Sequence, residues 1–167
     1  CALFRDGISV AKMHVCRRRQ HPSEFGRAST YVETVEMPEL EALAEKFLRA
    51  ISFYGLVEVE FKLDPRDGLL KLLDVNARTW GYHTVGRAAG VDYPWLLFAD
   101  QLGQKVENCC GTPGIRWVRL ATDVPTAISE FFRGRLHIGR YLNSLRLAHT
   151  ESVFSADDPA PGVMELG

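Results

Sequence analysis

A chain of 167 residues, 46% hydrophobic and 25% charged, is long enough for one globular domain with a sizeable core, which excludes disorder as its default state. Twenty basic against twenty-one acidic side chains leave a formal net charge of −1, so no whole-molecule field draws the protein to nucleic acid or to an anionic membrane. The apolar runs are too short for a membrane helix of about 20 residues, and Cys1, Cys16, Cys109 and Cys110 make neither a CxxC pair nor a zinc-ligand spacing, which fits a soluble protein of a reducing cytoplasm.

Apolar runs at Leu3 to Phe4 and Ile8 to Val15 flank Arg5-Asp6-Gly7, and an Asp-Gly step between such runs predicts a hairpin because glycine accepts positive φ cheaply. Arg17, Arg18 and Arg19, followed by His21-Pro22 and Gly26, predict a polar loop, and the β-branched stretch from Thr30 to Val35 predicts another strand. Pro38 at a first turn, acidic Glu39 and Glu41 beside it, and Leu40, Leu43, Ala44, Phe47 and Leu48 at helical spacing predict an amphipathic helix. Strict alternation from Gly55 to Asp64 and a second apolar run from Leu69 to Ala77 enclose the turn cluster Pro65 to Gly68, the pattern of an antiparallel hairpin.

Further on, Thr79 to Ala89 reads as a helix stopped by Gly90, and Asp92 with Pro94 starts another that runs through Leu102. Ile115 to Ala121 reads as a strand, Asp123-Val124-Pro125 opens a helix through Phe132, Gly139 to Ala148 forms a last short one, and the Asp- and Pro-rich end from Ser155 is expected to be extended. The elements together predict an α+β fold, an antiparallel β-sheet with packed helices. Residues 1–104 are expected to form one subdomain and residues 105–167 an extension packed on it.

The hairpin holds the residues with chemistry. Antiparallel partners keep a constant index sum, so a turn at Pro65 to Leu69 sets Asp64 opposite Leu70, Lys62 opposite Leu72 and Glu60 opposite Asp74. Two carboxylates about 5 Å apart at their β-carbons repel unless a cation or a proton lies between them. Asn76 falls on the same face as Asp74, and Arg78 two residues further adds a fixed cation with a bidentate fork. Magnesium takes oxygen ligands, commonly one or two protein carboxylates completed by phosphates and water, so Glu60, Asp74 and Asn76 make a suitable donor set. The competing reading is a solvated face of an amphipathic hairpin.

These residues also carry a family likeness. GLVEVEFKLD, a short turn and KLLDVNARTWG resemble the metal-binding strands of the ATP-grasp superfamily of carboxylate-amine ligase-like enzymes, in which an acidic residue is followed about a dozen residues later by an acidic residue, any residue, Asn, any residue, Arg. Asp74 stands where the family more often has Glu. The resemblance spans roughly Cys1 to Gly103 and implies that Glu60, Asp74 and Asn76 bind the Mg2+ (or Mn2+) ions that bridge the ATP phosphates, that Arg78 acts catalytically at an acyl phosphate, and that Lys62 lies near the nucleotide. It likens Arg17 and Arg19 to basic residues that related enzymes turn toward substrate or phosphate; His83, five residues after Arg78, is a candidate acid or base by its position, with a structural helix histidine as the alternative.

The function so implied is an ATP-dependent ligase that phosphorylates a small-molecule carboxylate and transfers the acyl group to an amine, a thiol or another nucleophile. The family's upstream subdomain has no counterpart before Cys1, so this chain is expected to be part of a longer protein whose N-terminal grasp half is its partner. The alternatives are a non-catalytic nucleotide-binding or interaction fragment, and a phosphotransferase using the same metal site. Neither a nucleic-acid nor a membrane partner is expected, and a homo-oligomer remains open.

Overall fold

The computed structural model describes residues 1–154 and 158–165, and the side chain of residue 165 is not among them. The architecture is α+β, as the sequence predicts, with nine strands and six helices among the described residues. Two compact units divide the chain: Cys1–Val15 with Thr34–Pro113, and Cys16–Glu33 with Gly114–Gly167.

The first unit is built on a five-stranded sheet. Its opening hairpin pairs β1 (Ala2–Arg5) with β2 (Ile8–Lys12) through a turn in which Asp6 and Gly7 both have positive φ, as an Asp-Gly turn requires. Strands β3 (His14–His21) and β4 (Ala28–Val35) follow, and then helix α1 (Pro38–Ala50) with its proline in the first turn. The hairpin β5 (Gly55–Leu63) and β6 (Leu70–Asn76) adds to β1, so that the sheet runs β6-β5-β1-β2 and ends on a two-residue strand, β7 (Cys109–Cys110), parallel to β2. Leu48 of α1 packs on Ala2, Phe4 and Val57, with Phe47, Phe53, Val59 and Val75 around them. Lys12 Nζ lies 2.5 Å from Glu41 Oε1, an ion pair that ties the helix to β2.

Two short helices complete this unit. Where the sequence predicts one helix over Thr79 to Ala89, the structure has turns and then only α2 (Thr84–Ala88). The cause is packing: Trp80, Tyr82, Val85 and Tyr93 are all buried, and the Trp80 and Tyr93 rings meet edge to face at 4.9 Å. Helix α3 (Tyr93–Gln101) starts where Asp92 caps it by accepting from the Trp95 N–H at 3.3 Å. No helix among the described residues is long and apolar enough to cross a membrane.

The second unit holds most of a four-stranded sheet ordered β3-β4-β8-β9, with β8 (Arg116–Val118) antiparallel to β4 and β9 (Thr150–Glu151) parallel to β8. The arginine run is not a loop. Arg17 to Arg19 lie in β3, an edge strand that lacks apolar alternation and is held by ion pairs. Glu33 of β4 takes Arg18 on one oxygen and Arg116 of β8 on the other, both at 2.9 Å, which links three strands. Helix α4 (Leu120–Phe132) starts three residues before the expected Asp123, whose buried carboxylate sits in its first turn. Helix α5 (Ile138–Arg146) agrees with prediction within a residue or two. Ser155 of the expected extended end lies outside the described residues, and beyond it α6 (Ala160–Glu165) is helical rather than extended.

Candidate active site

The β5–β6 ribbon pairs as the index sum requires at its inner end: Glu58 with Asn76, Val59 with Val75, and Glu60 with Asp74. After Glu60 a β-bulge shifts the register, so Phe61 faces Leu72, Lys62 faces Lys71 and Leu63 faces Leu70. The predicted Lys62–Leu72 and Asp64–Leu70 pairs are therefore displaced by one residue. The bulge leaves Leu73 as the extra residue on β6, so that Leu63 meets Leu70 rather than Lys71 and Lys62 meets Lys71 rather than Leu72.

On one face of the ribbon Val57, Val59 and Val75 join the core under α1. The other face bears Glu58, Glu60, Asp74 and Asn76, since strand side chains alternate. Asn76 is the hub of this face. Its amide nitrogen donates to Asp74 Oδ2 at 3.2 Å and to Glu58 Oε2 at 3.3 Å, while its oxygen accepts from Arg78 Nη2 at 3.0 Å. Arg78 Nη1 also donates to the Thr79 carbonyl at 3.0 Å, and Asp74 Oδ1 accepts from the Val75 N–H at 2.8 Å. Four of the sequence-predicted residues, Glu60, Asp74, Asn76 and Arg78, are thus brought to one end of one ribbon.

Glu58 is the residue that sequence reasoning missed. It is 5% exposed, and the Tyr82 hydroxyl donates to its Oε1. The signal was present in its place two residues before Glu60, on the same face, but nothing in a strand pattern tells a buried carboxylate from a solvated one. Tyr93 lies in the same unit with its hydroxyl donating to the Cys1 carbonyl at 3.0 Å, and burial raises its phenol well above the ordinary value.

The Glu60 and Asp74 carboxylates suit a hard cation such as magnesium, which needs little more from a protein when phosphates and water fill its remaining positions, while Asn76 turns its nitrogen to Asp74 and its oxygen to Arg78. No group of three or more His, Cys, Asp or Glu side chains among the described residues is placed to hold a metal, so a cation here would depend on this mixed donor set.

The other predicted residues have different surroundings. Lys62 is exposed at the outer end of the ribbon, and its cross-strand neighbour Lys71 is paired with Asp67 at 2.7 Å. His83 is half-buried, with Nδ1 3.0 Å from the Trp80 carbonyl. Arg19 belongs to the second unit, where its fork grips both oxygens of Asp123 at 2.8 and 2.7 Å, a third nitrogen donates to Ser144 Oγ at 2.8 Å, and the guanidinium lies over Tyr31. Arg17, Arg18, Arg19 and Arg135 line a cleft of about 390 Å3 in that unit, each with a partner already in place.

Residues 5–122 match the family model described as ATP-grasp in the biosynthetic pathway with Ter operon. The chain belongs to this ATP-grasp family. Searches of curated proteins and of solved structures gave no match. The family has an ATP-dependent ligase-like fold and generally uses ATP and Mg2+.

Proposed function

We propose that this chain provides the metal- and phosphate-binding ribbon of an ATP-dependent ligase, which activates a small-molecule carboxylate as an acyl phosphate and passes the acyl group to an amine or another nucleophile. The observation that carries this reading is the Glu60–Asp74 cross-strand pair, with Asn76 bonded to Asp74 on one side and to Arg78 on the other. Family membership supports ATP as the energy source and ligation as the reaction class.

In this reading Glu60, Asp74 and Asn76 hold Mg2+, or Mn2+ in its place. The bound cation would neutralise charge on the phosphates, the main requirement of phosphoryl transfer. Arg78 adds a permanent positive charge whose fork can take two oxygens of a carboxylate or phosphoryl group. Its two bonds, to Asn76 and to the Thr79 carbonyl, hold that fork beside the ribbon. Lys62, on the same face beyond Glu60, is assigned to the nucleotide, where its stem can pack while its ammonium stays hydrated. The remaining ATP contacts are assigned to a separate subdomain.

Product analysis tests the reaction class. The intact protein, supplied with Mg2+, ATP and a panel of carboxylates and amines, should release phosphate at a sustained rate only when both organic substrates are present. A stable phosphorylated product formed at the same rate without amine would favour a phosphotransferase and contradict ligation.

A further inference from the structure

Asn76 carries an amide whose two ends differ in chemistry, and only its oxygen can act as a metal ligand or accept from a guanidinium. Its nitrogen faces two carboxylates, Glu58 and Asp74, and its oxygen faces Arg78. Rotating the amide by half a turn would set the oxygen against both carboxylates and the nitrogen against the guanidinium, so each of the three contacts opposes it. Asp74 is an exposed side chain, whereas Glu58 is buried at 5% exposure and is held by the Tyr82 hydroxyl, itself on a residue that is 8% exposed. The fixed part of the arrangement is therefore the Glu58–Tyr82 pair.

We propose that Glu58, backed by Tyr82, is the positioning residue of this site: it captures the Asn76 N–H and so turns the Asn76 oxygen to the side on which Arg78 and the ligand phosphates are handled. The inference rests on the metal–phosphate reading of the ribbon. Glu58 does not itself touch the ligand. Its role resembles that of the outer carboxylates that orient ligating side chains in metal sites, whose removal costs about 10- to 100-fold in metal affinity. A buried carboxylate is expensive to maintain unless it is hydrogen-bonded, and Asn76 of β6 and Tyr82 both donate to Glu58.

The test uses Glu58→Leu, which keeps a buried side chain of similar size, with Glu58→Gln as the conservative variant whose amide oxygen can still accept from Asn76. The first readout needs no metal. In 15N-labelled protein the Asn76 side-chain amide should shift in Glu58→Leu and exchange with solvent about 10-fold faster, while Glu58→Gln stays near the unsubstituted position. An Asn76 amide unmoved in Glu58→Leu overturns the proposal.

The second readout is Mn2+ affinity, followed by the spin-resonance signal of the free ion in the presence of ADP. Glu58→Leu should weaken it about 10-fold, Glu58→Gln less than about 3-fold, and Glu58→Leu should add nothing in an Asn76→Ala background, because both substitutions remove the same contact. Full additivity of the two losses would assign Glu58 a merely structural role and overturn the proposal. Failure of the unsubstituted protein to bind Mn2+ would instead sink the metal reading of the ribbon and leave the amide measurement to decide the positioning role.

Discussion

Glu60 and Asp74 face each other across the β5–β6 ribbon, and the adjoining pair on the same face is the buried Glu58 with Asn76. Like charges set directly opposite in an antiparallel pair are destabilising by themselves. The donated N–H of Asn76 relieves Asp74 in part, and under the proposed function a bound cation would relieve the pair further.

Arg78 should matter for turnover more than for binding. Arg78→Ala is expected to leave Mg2+-dependent nucleotide affinity within a few-fold and to lower kcat by about 100-fold, the usual loss when one donor to a developing charge is removed. Steady-state kinetics beside a binding titration separate the two. An unchanged kcat with a raised KM would contradict the assignment.

Arg19 and Asp123 should matter for stability. The Asp123 carboxylate is fully enclosed and its partner guanidinium is 20% exposed, so Arg19→Ala leaves a buried charge without its main counter-ion. Such losses cost about 3–5 kcal/mol. Urea denaturation should show the midpoint of the second unit falling sharply, and a shift of a few tenths of a kcal/mol would mean that the pair is not what holds α4 to its sheet.

Gly86 should tolerate no side chain. A Cβ there would strike the Val91 carbonyl oxygen, which is backbone, and would lie 3.0 Å from the Tyr93 ring. The same close approach lets the Val91 N–H donate to the Gly86 carbonyl at 2.7 Å. Overpacking of this sort costs about 1–3 kcal/mol, so Gly86→Ala should lower the thermal midpoint measurably. A midpoint unchanged would show that the turn yields freely.

Acid should weaken the first unit through Asp100. This buried carboxylate accepts from the Tyr54 hydroxyl and from Arg5 Nη1 at 2.5 Å, and those hydrogen bonds, Tyr54 first, outweigh the upward push of burial and hold its pKa below the ordinary aspartate value. A lowered native pKa means that the unfolded chain binds the proton first. The contribution is therefore complete above the unfolded value of about 3.9 and fades as pH falls from there through the native value. Asp100→Asn should flatten that acid limb in pH-dependent unfolding curves, and an unaltered limb would place the effect elsewhere.

Much of this was legible in the sequence because β-structure writes itself at short range. Alternation in GLVEVEFKLD sets the two faces of β5, and a constant index sum pairs Glu60 with Asp74 without any knowledge of the rest. The same rule failed beyond Glu60, since a constant index sum has no place for the extra residue of a bulge, Leu73. Arg17 to Arg19 read as loop because a polar run has no apolar period, and the partner that fixes Arg19, Asp123, is 104 residues away. Strands β7 and β9 have two residues each, too few for any period to register. Glu58 and Tyr82 meet only in the folded protein, 24 residues apart, so the buried half of the site was not visible in the sequence pattern.

The most direct test of the central claim is a calorimetric titration of ATP into the protein with Mg2+ and with chelator, repeated on Asp74→Ala. Because Asp74 is exposed, the substitution should leave the fold intact by circular dichroism. The account predicts nucleotide binding that requires the metal and is lost in the variant, and binding that is equal in the two proteins, or indifferent to chelator, would contradict it.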